Sequence, residues 1–224
     1  MFSFERGTFL GEAYVARHSL MNAMATTIEL SAYIIVAGTL VGVILGVILV
    51  YAILPARLLV RLYVDVMRGI PVLVLIFFWY FGLSLFRINI PAFWAGVIAI
   101  GAFCAAHMAE TIRGAIQSIP QGQTEAAKAI GMTFLPRLWY VILPQAARRV
   151  LPPWVNTAVE MVKATTLLSI IGVVELLLAT QQTVARNYMI IEFYLAAALC
   201  FFAINFTLSQ IGAYLERRFA YMRY

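Results

Sequence analysis

The stretch QGQTEAAKAIGMTFLPRLWYVILP, residues 121–144, decides how the rest of this chain is read. It is patterned and partly polar, yet it sits inside 224 residues that are 63% hydrophobic. Thr124 is placed to cap a helix, and Glu125 suits a helix's positive N-terminal end. Glu125-Ala126-Ala127-Lys128-Ala129-Ile130 favours helix, and its alanines give a flat face. Gly131 stands where such a helix ends. Thr133 can cap a second helix, and Pro136 is tolerated in its first turn. Leu138, Trp139, Val141 and Ile142 give that helix an apolar surface, and Pro144 is expected to stop it. The expectation is two short helices joined at a glycine, able to dock in a groove on a partner.

Around this segment the chain is built for a bilayer. Charged residues make up 12%, about half the share in soluble domains. The mean hydropathy is +0.91. Five apolar segments, at about 22–52, 58–86, 90–115, 153–180 and 189–214, reach the ~20 residues that a helical span needs. The expected fold class is therefore an all-α integral membrane protein: five transmembrane helices and short cytoplasmic helices in the 117–145 loop, all in one domain.

Lys and Arg give an orientation. Arg57, Arg61, Arg68, Arg113, Lys128, Arg137, Arg148, Arg149, Arg217, Arg218 and Arg223 fall on one side, eleven in all, against Arg6, Arg17, Arg87 and Arg186 on the other. Positive charge collects in the cytoplasm, so the N-terminus is expected outside and the C-terminus inside. The net charge of +6 is read the same way, and no basic run points to nucleic acid. Glu5, Arg6, Glu12, Arg17 and His18 interrupt the N-terminal stretch, which does not look like a cleaved signal.

Catalytic patterns are missing from the sequence. Cys104 and Cys200 lie in apolar runs, and His18 and His107 are far apart, so no zinc spacing arises. Neither a G-x-x-x-x-G-K-[ST] phosphate loop nor a G-x-S-x-G elbow occurs. Gly38, Gly42 and Gly46 form a smooth stripe, serving close packing within the subunit or between subunits. Arg57, Arg61, Asp65 and Arg68 share one helix face; Arg57 and Arg61 read as a solvated helix end. Gly69 and Pro71 mark a bend or restart.

The 121–144 segment resembles the EAA loop of permease subunits from bacterial ABC importers. That pattern is Glu-Ala-Ala, three residues, Gly, nine residues, Ile, one residue, Leu-Pro. Here it is met by Glu125, Ala126, Ala127, Gly131, Val141, Leu143 and Pro144, with Val in place of Ile. Further segments resemble the polar amino-acid branch, the histidine/glutamine-type permeases: MRGIPVLVLIFFWYFGL at 67–83, AETIRGAIQSIPQGQ at 109–123, VILPQAARRVLP at 141–152 and KATTLLSIIGVVEL at 163–176. Ala164 replaces a common Asp, and His107 a usual aromatic. The resemblance covers about 22–215. It implies the type I ABC importer permease fold, a non-catalytic subunit and a place in the bacterial inner membrane. It also implies a coupling role for those seven residues. The implied partners are an ATPase subunit, a second permease subunit (identical or paralogous), a periplasmic substrate-binding protein, an amino-acid substrate and membrane lipid. No cofactor is implied for this chain; ATP and Mg belong to the ATPase.

Ionisable groups inside spans cost about 2.5–3.5 kcal/mol each and usually face a cavity or a partner. Glu160 and Lys163 share a face of the fourth span. With Thr165, Thr166 and Ser169 they are candidates to line the substrate path; the other reading is an ion pair that holds the fold. Glu110, Arg113 and Arg68 are candidates for a gate or an interhelix ion pair. Glu175 is placed to meet the binding protein or to cap a helix. A stand-alone proton-coupled transporter using Glu160 and Lys163 is the alternative function, and it leaves the 121–144 pattern without a purpose.

Overall fold

The computed structural model describes residues 7–220, with side chains to Arg218. Glu5, Arg6 and Arg223, named above, lie outside the described residues. Among the described residues every regular element is helical. The helices are α1 (Phe9–Tyr51), α2 (Leu54–Gly69), α3 (Val72–Phe77), α4 (Ala92–Gln117), α5 (Gln121–Ala129), α6 (Phe134–Arg137), α7 (Leu143–Ala164), α8 (Leu176–Asn187) and α9 (Ile190–Ala220). Wider π-turns come after α3 at Phe78–Gly82 and after α6 at Leu138–Ile142, and tighter 3-10 turns cover Leu83–Phe86 and Thr165–Ile171.

α1, α4 and α9 are each long and apolar enough to cross a membrane. Two bent pairs bring the number of candidate spans to five. One bends by 107° between α2 and the Val72–Phe86 helix, the other by 51° between the Phe134–Ile171 helix and α8. The second apolar segment is therefore two helices. Pro71 has no N–H to continue α2, Ile70 is extended, and the chain restarts at Val72.

The chain divides into two compact units. The first comprises residues 1–34, 71–101 and 160–207, and the second 35–70, 102–159 and 208–224. In the first unit Leu30, Ile76, Ile100, Met161, Leu168 and Phe193 are fully buried. Glu175 is buried among them and caps α8: its carboxylate accepts from the N–H groups of Leu177 (2.9 Å) and Leu178 (2.8 Å). The Leu176 N–H donates to Thr27 Oγ1 at 3.0 Å. Three N–H groups orphaned by the helix start are thus satisfied by side chains. Of the two roles open to Glu175, the structure displays the cap.

In the second unit, α4 lies against α1 and α2. A Cβ at Gly42 would collide with the Met108 Cβ, and one at Gly46 would lie 2.6 Å from the Ile112 Cβ. These glycines admit α4 to the backbone of α1, which is close packing within the subunit. Val64 of α2 is buried with Leu49, Ala106 and Ala109. Trp154 Nε1 donates to Thr39 Oγ1 at 2.9 Å, tying α7 to α1.

Gly46→Val is expected to lower the stability of the detergent-solubilised protein by about 1–3 kcal/mol, since backbone and Ile112 must yield. Gly101→Ala, whose Cβ meets nothing within 4 Å, is expected to be neutral or slightly stabilising. Thermal unfolding followed by tryptophan fluorescence compares the two.

Candidate functional site

The 121–144 segment lies wholly in the second unit. α5 starts at Gln121, three residues before Thr124, because Pro120 at its N-cap carries a φ of −55° suited to helix entry. Thr124 is therefore inside the helix and not its cap, and Glu125 lies in the second turn. Ala127 is buried, while Glu125, Ala126 and Ala129 are exposed. Gly131 has φ +79°, the left-handed conformation of a helix terminator. Its N–H donates to the Lys128 carbonyl (2.9 Å) and that of Met132 to the Ala127 carbonyl (3.0 Å), the two bonds of a Schellman end.

Beyond Gly131 the chain does not make a second isolated helix. Thr133 holds the N-cap position of α6 without a side-chain cap bond. Pro144 does not end the helix: the chain passes through the π-turn into α7 and stays helical to Ala164. The wider turn lets the Leu143 N–H donate to the Leu138 carbonyl, so the ladder survives the donor that Pro144 lacks. Leu138 and Ile142 are buried with Ile112, Ile116, Ile119 and Val150, and Leu143 packs against that cluster. Ile130, Leu135, Trp139 and Tyr140 remain between 62% and 77% exposed. The result is a short braced helix with exposed apolar side chains beside it, a surface suited to a protein partner. Arg149 Nη1 braces its base by donating to the carbonyl (2.5 Å) and Oγ (2.8 Å) of Ser118. Of the sequence candidates, Glu125, Ala126, Gly131 and Pro144 are exposed, and Val141 and Leu143 half-buried.

A second constellation centres on Glu110 of α4, also in the second unit. Arg113 grips it from one turn away, with Nη2 at 2.7 Å and Nε at 3.1 Å from Oε2. Arg61 Nη1 of α2 reaches Oε1 at 2.6 Å, and Arg61 Nε lies 3.2 Å from Asp65. Arg68 Nη1 stands off at 3.9 Å. Arg61 is thus no solvated helix end. Its sequence signal was the face it shares with Asp65 and Arg68, which did not name Glu110 as the receiver. Arg57 instead donates to the carbonyls of Val50 (3.3 Å) and Ala52 (3.1 Å).

The third group lies on α7 and the turn after it, in the first unit. Glu160 and Lys163 are both exposed, and no ion pair joins them among the described residues. Thr165 donates to the Val162 carbonyl, Thr166 to that of Lys163 and Ser169 to that of Thr166, each at 2.7 Å. Their protons are committed to the 3-10 turn. Thr165 is also fully buried, so of the three only the lone pairs of Thr166 and Ser169 remain to meet a solute.

A family model described as "binding-protein-dependent transport system inner membrane component" matches residues 38–221. The chain belongs to this family, the membrane-embedded permease subunits of ABC importers, and it has the type I permease fold. It is 35% identical to the probable amino-acid ABC transporter permease protein PatM of Vibrio harveyi, over 91% of this chain and 94% of the relative. It is 36% identical to the L-cystine transport system permease protein TcyB of Bacillus subtilis, over 86% and 82%. With the glutamine transport system permease protein GlnP of Escherichia coli K12 the identity is 34%, over 89% and 92%. Among solved structures, the crystal structure of an amino acid ABC transporter with histidines superposes with a TM-score of 0.87, at 33% identity and covering 94% of this chain and 98% of that one. An inward-facing methionine ABC transporter, MetNI, shares the fold at a TM-score of 0.79 and 18% identity, covering 90% and 96%. Such permeases are not themselves enzymes, and a stand-alone transporter finds no support among these relatives.

Two substitutions test the geometry. Gly131→Ala forces a Cβ into the left-handed region and is expected to cost about 1–2 kcal/mol. Glu110→Gln removes the charge that two guanidinium groups share, an expected loss on the order of 2 kcal/mol. As a control, Asp65→Asn, in an exposed pair, is expected to cost at most about 1 kcal/mol. Chemical denaturation in a mild detergent measures all three.

Proposed function

We propose that this chain is the permease subunit of an ATP-driven importer for polar amino acids, and that α5 is the helix through which an ATPase subunit moves it. The observation that carries this reading is the exposed, Schellman-ended α5 at EAA spacing, with Ile130, Leu135 and Trp139 open beside it. Glutamine and cystine in the relatives' names support the amino-acid class. The Lys/Arg distribution supports a cytoplasmic α5 and C-terminus and an outside N-terminus.

In this reading two permease subunits, identical or paralogous, enclose one path, and a periplasmic binding protein delivers the solute. ATP and Mg bind the ATPase pair, whose closure swings α5, and hydrolysis resets the assembly. Glu125, Ala126, Ala127, Gly131, Val141, Leu143 and Pro144 form or hold the coupling segment. Glu160 and Lys163 line the path and meet the ammonium and carboxylate ends of the amino acid. Their exposure without a partner in the subunit supports this, because such groups in a bilayer need water or a counter-charge. Thr166 and Ser169, both partly exposed, offer lone pairs nearby, while Thr165 is buried and stands back from the path. Glu110 and Arg113, ion-paired, with Arg68 standing 3.9 Å off, form a gate at the inner end of α4.

Affinity purification from native membranes in a mild detergent, with mass spectrometry of the eluate, tests the reading. An ATPase subunit is expected to co-purify with the wild type and to be lost with Gly131→Asp, which inserts normally but cannot present α5. A chain that emerges alone, and moves amino acids in vesicles without ATP, overturns the proposal.

A further inference from the structure

The polar wall of the second unit holds four guanidinium groups, those of Arg57, Arg61, Arg68 and Arg113, against two carboxylates, those of Asp65 and Glu110. α2 has three faces. Val60, Tyr63, Val64 and Met67 pack inward. Leu54, Leu58, Leu62 and Val66, four residues apart, form an exposed apolar face. Arg57, Arg61, Asp65 and Arg68 form the third, and it meets α4 at Glu110. Below Ala102, α4 is only partly covered along a stripe of Phe103, His107, Glu110, Thr111, Gly114 and Gln117. A helix turned to acyl chains would show Leu or Val there. This one shows imidazole, carboxyl, hydroxyl and amide, so the stripe and the adjoining face of α2 meet water.

The charges on this wall do not balance. Arg113 is matched by Glu110, and Arg61, which also bonds Glu110, is matched by Asp65. Arg57 is bonded to backbone carbonyls, and Arg68 is left over. Its nearest carboxylate oxygen, at 3.9 Å, is beyond hydrogen-bond reach, and its side chain is 42% exposed. No other acceptor takes its protons among the described residues. It sits in the last turn of α2, directly before the 107° bend.

We propose that Arg68 takes the carboxylate of the amino acid as it leaves the path, exchanging between Glu110 and the solute. This rests on the importer reading. A guanidinium suits a carboxylate because two parallel N–H donors match its two oxygens. Glu110 behind it is a competing acceptor that lets the solute go, as a transit site requires. An anionic lipid phosphate could use the same donors, but the face of α2 that suits acyl chains is the leucine face, and Arg68 is not on it.

The test uses the complete complex (permease, ATPase and binding protein) in proteoliposomes with a panel of the common L-amino acids and L-cystine. Solute moved per ATP hydrolysed is expected to fall at least about tenfold in Arg68→Gln and to return to within about threefold in Arg68→Lys. Arg57→Gln, which loses only bonds to backbone carbonyls, is expected to stay within about twofold. The ratio of wild type to Arg68→Gln is expected to match in phosphatidylcholine vesicles with and without phosphatidylglycerol. A loss confined to phosphatidylglycerol vesicles makes lipid phosphate the ligand and overturns the proposal. Equal losses in Arg68→Gln and Arg68→Lys with a dissociated complex make Arg68 a packing residue and overturn it too. Uptake by Arg68→Gln within about twofold of wild type overturns it while leaving the importer intact. A wild-type complex that moves no member of the panel overturns the importer reading and this one together.

Discussion

A backbone N–H or C=O left without a partner away from water costs free energy, and three interruptions of the helices in this chain supply the partners themselves. Where Pro144 removes a donor, the preceding turn widens and Leu143 bonds back to Leu138. Where the chain turns at Gly172–Glu175, Thr27 and the Glu175 carboxylate receive the three N–H groups that begin α8. Where α5 ends, the left-handed Gly131 returns two N–H groups to its last turn. Bends and short helices are tolerated only because these partners are present. The 121–144 segment and the broken spans depend on them.

Charge is distributed by the same need for partners. Glu110 is held by two helices, so its ionised form has donors on both oxygens. Glu160 and Lys163 have no ion-pair partner among the described residues and stand open on α7. The contrast separates a group that fixes helices from groups that await water, solute or a second subunit. The Glu110 constellation also lies close in sequence to α5: α4 ends seven residues later at Gln117, and Arg149 clasps the junction at Ser118 before α5 begins.

Some of this is plain in the residues. Gly131 as a terminator follows from chemistry that acts within one turn, since only glycine enters the left-handed region without strain. A break near Gly69–Pro71 follows likewise, because proline lacks a donor wherever it sits. The 121–144 pattern stands out because polar spacing inside an apolar chain has few uses. Other local rules mislead. Thr124 looks like a cap, but Pro120 has already set the helix going. Pro144 looks like a stop, but a π-turn absorbs it when Leu138 and Ile142 are anchored in a core. Arg61 looks solvated because its partner lies 49 residues away.

The sequence by itself determined the membrane class, the number of apolar segments, the coupling motif and the places where helices must end or bend. All of these depend on composition or on neighbours within a turn. Tertiary structure alone decided which helix fills the glycine groove of α1, which carboxylate receives Arg61 and which side chains cap α8. It also decided that Glu160 and Lys163 stand apart while Glu110 is held by Arg61 and Arg113. Those outcomes depend on which distant residues meet, and in a chain this apolar many helix faces are equally greasy, so pattern alone does not choose among them.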